Sequence, residues 1–416
     1  MSQIRSIKGT HDILPKESIN WQRLEQIMHQ VCRQFGYREI RTPIFEETRL
    51  FTRSVGEETD IVSKEMYSWE DKDGSSLTLR PELTASVVRS YIQHNLGNHA
   101  PSQRLYYLGP LFRRERPQKG RQRQFHQFGV EAFGSLHPEQ DAEIIALAWH
   151  ILSVCGLIAN TKLHLNSIGS SDCRSAYKDA LKDFIRPNLM QFSETSQRRF
   201  ETNPLRILDT KADHEKKLLN GAPIVSDYFT DDDKIHFDSV QQFLNAMDIP
   251  FSLNPKLVRG LDYYSRTIFE FSSSALGAQD ALLGGGRYDQ LVETLGGKPT
   301  PAIGFAAGME RILIALESIE KTKSDPNLDI YFICLEDDGL PVALSLCQQL
   351  RNAGRNVVMD SLRRSIKAQL REANKSGAGH VLILGNDEIE SNTIIMKDLK
   401  KGEQMTLQQS SLIEKL

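Results

Sequence analysis

The sequence predicts an α+β fold: an antiparallel sheet carrying helices, interrupted by a helical insertion and followed by a separate C-terminal α/β domain. Three observations carry that expectation. Strand-like runs before residue 170 follow one another across hairpin-length loops, which favours antiparallel pairing. The stretch 171–250 is polar and mostly of helical pattern. The last segment alternates strand, helix and strand, the signature of a small α/β unit with a parallel or mixed sheet.

Along the chain, Asn20–Phe35 has helical periodicity, and strand-like runs follow at Glu39–Phe45, Ser76–Leu79, Gln103–Leu111 and Phe125–Phe133. Glu139–Cys155 is the next predicted helix. After the polar stretch, strand character returns at Thr267–Ser272, and Gly308–Ile319 closes the first part as a helix. Ser318–Asn327 is polar, contains Pro326 and is expected to be a linker. Beyond it, Asp329–Leu335, Asn356–Met359 and His380–Leu384 are predicted strands, and Leu340–Ala353 and Arg363–Lys375 predicted helices. Asn392–Lys397 and Glu403–Leu407 form a closing strand pair. The expected domains are 1–170 and 251–320 for the two parts of the core, 171–250 for the insertion and 328–416 for the C-terminal domain.

Composition narrows the class. The chain has 416 residues, 39% hydrophobic and 25% charged, which suits several folded domains rather than a disordered chain. No apolar run approaches the ~20 residues of a membrane helix. Met1–Lys8 lacks the apolar core of a signal peptide, so a cytoplasmic protein is expected. Five scattered cysteines, none in a C-x-x-C pair, argue against a disulfide framework or a zinc site. The net charge of −3 neither requires nor excludes a nucleic-acid partner, because phosphate recognition needs local rather than global positive charge.

Local positive charge is found at Leu111–Phe128. Between Arg113 and Arg123 lie six basic residues and one acid, Glu115, around the turn former Gly120. This is the pattern of a hairpin with a basic loop. Guanidinium forks suit phosphate oxygens, and Phe125 offers a ring on which a base can stack. A solvated charged hairpin carries the same pattern. Leu257–Thr267 holds Arg259, Gly260, Asp262, Tyr263 and Tyr264; on a strand the two tyrosines would face opposite sides. Gly284–Asp289 supplies three glycines where backbone can approach a ligand, and it is not a P-loop, since no Gly-Lys-Ser/Thr follows. Ala302–Leu316 reads as a small-residue strand entering a helix, with Arg311 in the first turn, a favourable place for phosphate. In Leu77–Ala85, Pro81 ends a strand and leaves Glu82 and Thr84 at its exit, where a carboxylate suits an ammonium group.

Together these segments resemble the histidyl-tRNA synthetase family of class II aminoacyl-tRNA synthetases, over essentially the whole chain. Gly36–Ile44 resembles motif 1, Phe112–Phe125 motif 2 and Gly304–Arg311 motif 3; these are shared across the class. Arg259–Tyr264 and Gly284–Asp289 resemble the two histidine signatures, which are far more specific. Lys8–Asp12 is also similar to the family's opening residues.

The resemblance implies a class II synthetase catalytic core with an anticodon-binding domain at the C-terminus. It implies activation of L-histidine with ATP, transfer to the 3′ end of tRNA(His), and a homodimer with Pro43 at its interface. Magnesium is expected to accompany ATP, and no protein side chain is assigned as a metal ligand. By similarity Arg113 and Arg259 bracket the α-phosphate and are the catalytic pair. Arg121 and Arg311 hold the outer phosphates, Glu115 meets the adenine amino group and Phe125 stacks on the ring. Glu82, Thr84 and Gln127 bind the substrate ammonium; Leu83, standing where some members carry glycine, and the arginines Arg113 and Arg259 also count among the histidine-binding residues. Glu131 and Tyr264 take the imidazole nitrogens, and Tyr263 and Tyr288 complete the wall. An acceptor paired with a hydroxyl satisfies both ring nitrogens. Arg116, Gln118 and Lys119 face the tRNA acceptor end. In the C-terminal domain Arg363, Lys367, Arg371 and Lys375 fall every fourth residue, on one face of the predicted helix.

Two other readings share much of this pattern. A synthetase-like regulatory subunit of ATP phosphoribosyltransferase would lack the C-terminal domain and lose catalytic arginines. A sensor of histidine or uncharged tRNA would carry an attached effector such as a kinase, whose motifs are absent from this sequence. The four arginines and the C-terminal α/β segment favour the enzyme.

Overall fold

The computed structural model describes residues 3–56, 59–210, 212–276, 281–319 and 328–416. It divides into two compact units, Met1–Lys323 and Ser324–Leu416. Residues 320–327, most of the expected linker, lie outside the described residues; Ser318 ends the helix Met309–Ser318.

The first unit contains β1 (Arg38–Glu39), β2 (Phe45–Glu47), β3 (Tyr67–Glu70), β4 (Ser76–Leu79), β5 (Gln103–Phe112), β6 (Gln124–Phe133), β7 (Thr161–Ser167), β8 (Ser252–Leu253), β9 (Ser265–Ser273), β10 (Ala281–Arg287) and β11 (Ala302–Gly308). Eight of them form one sheet in the order β1-β5-β6-β11-β10-β9-β7-β8, and β2-β4-β3 form a small one. The large sheet is antiparallel except at its rims, where β1 pairs parallel with β5 and β8 with β7. The basic segment does lie in a hairpin: β5 and β6 pair in unbroken register from Gln103 opposite Phe133 to Phe112 opposite Gln124.

Period-two alternation divides β6 between two layers. Phe128, Val130 and Ala132 enter the largest hydrophobic cluster, beneath helices Pro15–Gln34, Pro138–Val154 and Asp231–Ala246. Phe125, Gln127 and Glu131 face the other way, into a cavity. Helix Pro15–Gln34 starts with proline at its first turn and buries Leu24, Met28, Val31 and Cys32 on the stripe that meets this core. On the opposite face Leu83, Val87, Val88 and Tyr91 pack with Leu105, Tyr107 and Tyr288.

That second layer rests on helix Thr84–Gln93, which the sequence reading missed by ending its segment at the Pro81 turn. Helix Thr48–Val55 and strands β3 and β7 were also not anticipated. The expected strand Glu39–Phe45 is instead two short strands on either side of Pro43. Pro43 has no N–H to donate, and the carbonyls of Thr42 and Pro43 accept from the Arg80 guanidinium. Within 171–250 the helices Ser171–Ile185 and Glu194–Thr202 share a small core of their own with Leu205 and Ile207. Val240 and Leu244 of the last helix join the main cluster.

The second unit contains β12 (Ile330–Cys334), β13 (Val357–Met359), β14 (His380–Leu384), β15 (Thr393–Asp398) and β16 (Gln404–Gln408). Their order is β13-β12-β14-β15-β16, parallel through the first three and antiparallel thereafter, the mixed sheet that was expected. Its second α-helix begins at Ile366 rather than Arg363. Arg363 has φ 50° and pairs with Asp337 at 2.8 Å, so the basic stripe is Lys367, Arg371 and Lys375, all exposed.

Candidate active site

A cavity of about 280 Å³ opens on the sheet face not covered by the main core. Its floor is β6, β10 and β11, and its rim comes from the Pro81 turn, the basic hairpin loop and the segment before β9. It is lined by Glu82, Thr84, Arg113, Glu115, Arg121, Phe125, Gln127, Glu131, Arg259, Tyr263, Tyr264, Tyr288 and Arg311. Every residue expected to meet ATP is therefore present, as is every residue expected to meet histidine except Leu83. The Leu83 side chain is buried in the cluster with Val87 and Val88, so only its backbone is left to serve the cavity.

Glu131 is only 1% exposed. Its Oε1 accepts from Thr84 Oγ1 at 2.8 Å and from the Tyr107 hydroxyl at 3.0 Å, and Oε2 accepts from the Tyr288 hydroxyl. Burial pushes its carboxyl up to about 8, against the pull of the three hydroxyls. Gly304 stands opposite Glu131 in the β6–β11 register, and a Cβ there would strike the Glu131 carboxylate, so the glycine makes room for the acid. Gly284 does the same for Arg259, whose guanidinium lies 2.5 Å from where that Cβ would be.

Tyr107 lies in no motif and is not singled out by the sequence. Its signal is structural: it stands opposite Gly129 in the hairpin register, where a Cβ would strike its hydroxyl. Glu270 was also missed. It receives Arg259 Nη1 at 2.5 Å, and an acid between Phe269 and Phe271 in an apolar strand was the available hint.

Glu82 has a second task. Its two oxygens accept from the N–H groups of Thr84 and Ala85 at 2.8 and 2.7 Å, holding the start of helix Thr84–Gln93. Burial raises its carboxyl above the usual range despite those bonds. A carboxylate offers about four lone-pair sites, so two remain for a ligand ammonium. Tyr263 and Tyr264 precede β9 in a turn rather than lying on a strand. Their rings are 4.8 Å apart and both line the cavity, not opposite faces.

Arg113 donates from Nε to the Pro81 carbonyl at 2.8 Å, and its guanidinium lies 5.2 Å from the Phe125 ring centroid. Glu115 lies between Arg113 and Arg121, at 3.8 and 3.4 Å, and its buried Oε2 makes no hydrogen bond. Arg311 donates to the carbonyls of Ala281 and Gly120 at 2.9 and 3.4 Å. Along β6, Phe125 and Glu131 are six residues apart, about 20 Å at about 3.3 Å per residue. The cavity thus runs from an aromatic ring among arginines to a buried carboxylate among hydroxyls. It is built to bind an elongated, multiply anionic molecule beside a small polar one.

Arg116, Gln118 and Lys119 lie outside the cavity, exposed in the loop. Gln118 and Arg121 exchange backbone hydrogen bonds that close its tip, with Gly120 at φ 74°. Among the described residues no group of three or more His, Cys, Asp or Glu side chains is arranged to hold a metal ion, and no helix is long and apolar enough to cross a membrane.

A family model described as histidyl-tRNA synthetase matches residues 9–312, and one described as an anticodon binding domain matches residues 329–416. The histidine–tRNA ligase of Bacillus velezensis is 48% identical over 414 residues, covering 98% of this chain and 97% of that protein. That of Natranaerobius thermophilus is 45% identical over 411 residues, covering 98% and 97%. Among solved structures, the apo histidyl-tRNA synthetase of S. aureus matches with a TM-score of 0.84 and 38% identity over 99% of each chain.

Proposed function

The chain belongs to the histidyl-tRNA synthetase family and is a histidine–tRNA ligase using ATP, and from that premise we propose how its own residues divide the work. The observation that carries the assignment is the single cavity that holds Glu131 among tyrosines and, along the same strand, Phe125 among four arginines.

Adenine stacks on Phe125, and its amino group donates to Glu115, a reading supported by the buried Oε2 that makes no hydrogen bond. Arg121 and Arg311 hold the β- and γ-phosphates. Arg113 and Arg259 lie on either side of the α-phosphate, where charge changes during transfer, and their anchors on Pro81 and Glu270 fix them before substrate arrives. A histidine carboxylate oxygen attacks the α-phosphorus, the bond to the β-phosphate oxygen breaks, and pyrophosphate leaves. The ribose 3′ hydroxyl of the tRNA then attacks the carbonyl carbon of the adenylate and AMP departs.

Glu82, Thr84 and Gln127 hold the histidine ammonium, with the Leu83 backbone beside them. Glu131 accepts from one imidazole nitrogen and Tyr264 serves the other, while Tyr263 and Tyr288 wall the ring. A pocket that bonds both nitrogens rejects amino acids lacking them by about 10⁴-fold. Arg116, Gln118 and Lys119 meet the acceptor end of the tRNA. Magnesium would accompany ATP, with no protein side chain assigned to hold it, and would supply charge neutralisation at the outer phosphates.

The enzyme works in the cytoplasm, in keeping with five unpaired cysteines. It acts as a homodimer, supported by the exposed apolar residues Ile44, Phe45 and Trp69 near the motif 1 segment. Sedimentation at a monomer's mass at micromolar concentration contradicts the dimer. The histidine assignment is tested by ATP–pyrophosphate exchange across all twenty amino acids. Exchange is expected with histidine alone, and exchange driven by a different amino acid overturns it.

A further inference from the structure

The segment that carries Arg259, Tyr263 and Tyr264 is held at three points by residues of the inserted module. Arg206 donates from Nη2 to the Gly260 carbonyl at 2.5 Å and from Nε to Asp262 Oδ1 at 3.1 Å. Asn203 donates to the same Asp262 oxygen at 2.7 Å. Arg174 donates from Nη1 to the Tyr264 carbonyl at 2.7 Å. On its other side Asp262 lies against Gly56, where a Cβ would strike its carboxylate.

These donors are not loose surface side chains. Arg174 belongs to helix Ser171–Ile185, and its neighbours Cys173 and Tyr177 are buried in the module's own core. Asn203 and Arg206 flank Leu205, which joins that core with Ile207. Arg206 is 11% exposed. Each of these bonds ties a carbonyl or carboxylate of the segment to a side chain anchored beside the module's core, so the arrangement favours one position of the segment over the alternatives. Residues 259–264 themselves form no strand or helix, and the backbone carbonyls of Gly260 and Tyr264 have no ladder partner to hold them.

We propose that Arg174, Asn203 and Arg206 are positioning residues through which the inserted module sets the histidine-binding segment Gly260–Tyr264, so that any event shifting the module changes histidine affinity. This rests on assigning Tyr263 and Tyr264 to histidine. The proposed ATP contacts at Arg113, Arg121 and Arg311 lie on other segments, and Arg259, which precedes the clamped residues, has its own anchor on Glu270, so the ATP site is expected to stay in place.

The test uses the purified full-length protein and histidine-dependent ATP–pyrophosphate exchange. Arg206→Ala is expected to raise the KM for histidine about tenfold or more, the loss of charge-assisted bonds, and to move the KM for ATP by less than about twofold. Arg206→Lys should recover part of the loss, since an ammonium reaches one acceptor but not both. Asn203→Ala should shift the histidine KM in the same direction by less, and it carries the test if Arg206→Ala fails to fold. Unchanged histidine KM in Asn203→Ala and in Arg206→Ala or Arg206→Lys overturns the proposal, as does an equal rise for histidine and ATP. Absence of histidine dependence in the unsubstituted protein removes the histidine assignment and the clamp together, whereas an active parent with unaffected variants removes the clamp alone.

Discussion

Glu131 shows how far one buried carboxylate is kept from its ordinary behaviour. Three hydroxyls point at it and no cation touches it, so burial prevails and raises its carboxyl to about 8. In the unfolded chain the same group releases its proton near 4.5. Between those values the folded state binds more protons than the unfolded one, so the Glu131 contribution to stability falls as pH rises through this window and levels off above pH 8. Glu131→Gln removes that slope. The variant is expected to melt at a higher temperature than the parent at pH 8–9 and to lose the advantage near pH 5, checked by thermal unfolding across pH. The same variant should raise the KM for histidine by about 10²-fold while leaving that for ATP within about twofold, because it replaces the group proposed to meet the imidazole and alters no proposed phosphate contact. Equal effects on both substrates argue against imidazole recognition.

At the scale of elements, the glycine run of β10 leads into the most deeply buried ionic group of the core. Arg287 is fully buried and donates to Asp141 Oδ1 at 2.8 Å, to Asp289 Oδ1 at 2.7 Å and to the Ser135 carbonyl at 2.7 Å. Asp141 binds His236 through its other oxygen at 2.8 Å, so the network ties the end of β10 to helices Pro138–Val154 and Asp231–Ala246. Arg287→Ala leaves two carboxylates without their cation and is expected to cost about 3–5 kcal/mol of stability, read by urea unfolding. A loss below 1 kcal/mol denies the network its structural role. This arginine lies in a histidine signature yet does not line the cavity. The signature thus joins residues with two tasks, which a linear pattern does not separate. The β5–β6 hairpin was legible because its alternation and turn chemistry are local. Helix Thr84–Gln93 was not, since its start is held by Glu82 just after a proline turn and its buried face meets strands distant in sequence. Tyr107 and the clamp on Asp262 depend on such distant approaches and leave no spacing to read.

Across the whole molecule the two units divide the chemistry. The cavity and its four arginines belong wholly to the first unit. The second has its own core, built on Ile330, Phe332, Leu382 and Leu384, and matches an anticodon-binding model. Removal of Pro326–Leu416 is therefore expected to preserve histidine-dependent pyrophosphate exchange within a few-fold and to reduce charging of tRNA by about tenfold or more, an estimate that equates the loss with roughly 1.4 kcal/mol of tRNA binding. Undiminished charging contradicts the role given to the second unit. The α+β core and the mixed C-terminal sheet were visible in the order of the elements, because that order reflects local periodicity. The placement of Arg113 and Arg259 in one cavity was not, because 146 positions of sequence separate them and only the sheet brings them together.

On that meeting rests the proposed mechanism: two arginines, anchored on Pro81 and Glu270, that we propose take the charge on the α-phosphate. Histidine-dependent ATP–pyrophosphate exchange by Arg259→Ala tests it most directly. The account predicts a loss on the order of 10³-fold, with the melting temperature and ATP binding of the parent retained; exchange at the parent's rate in that variant would contradict it.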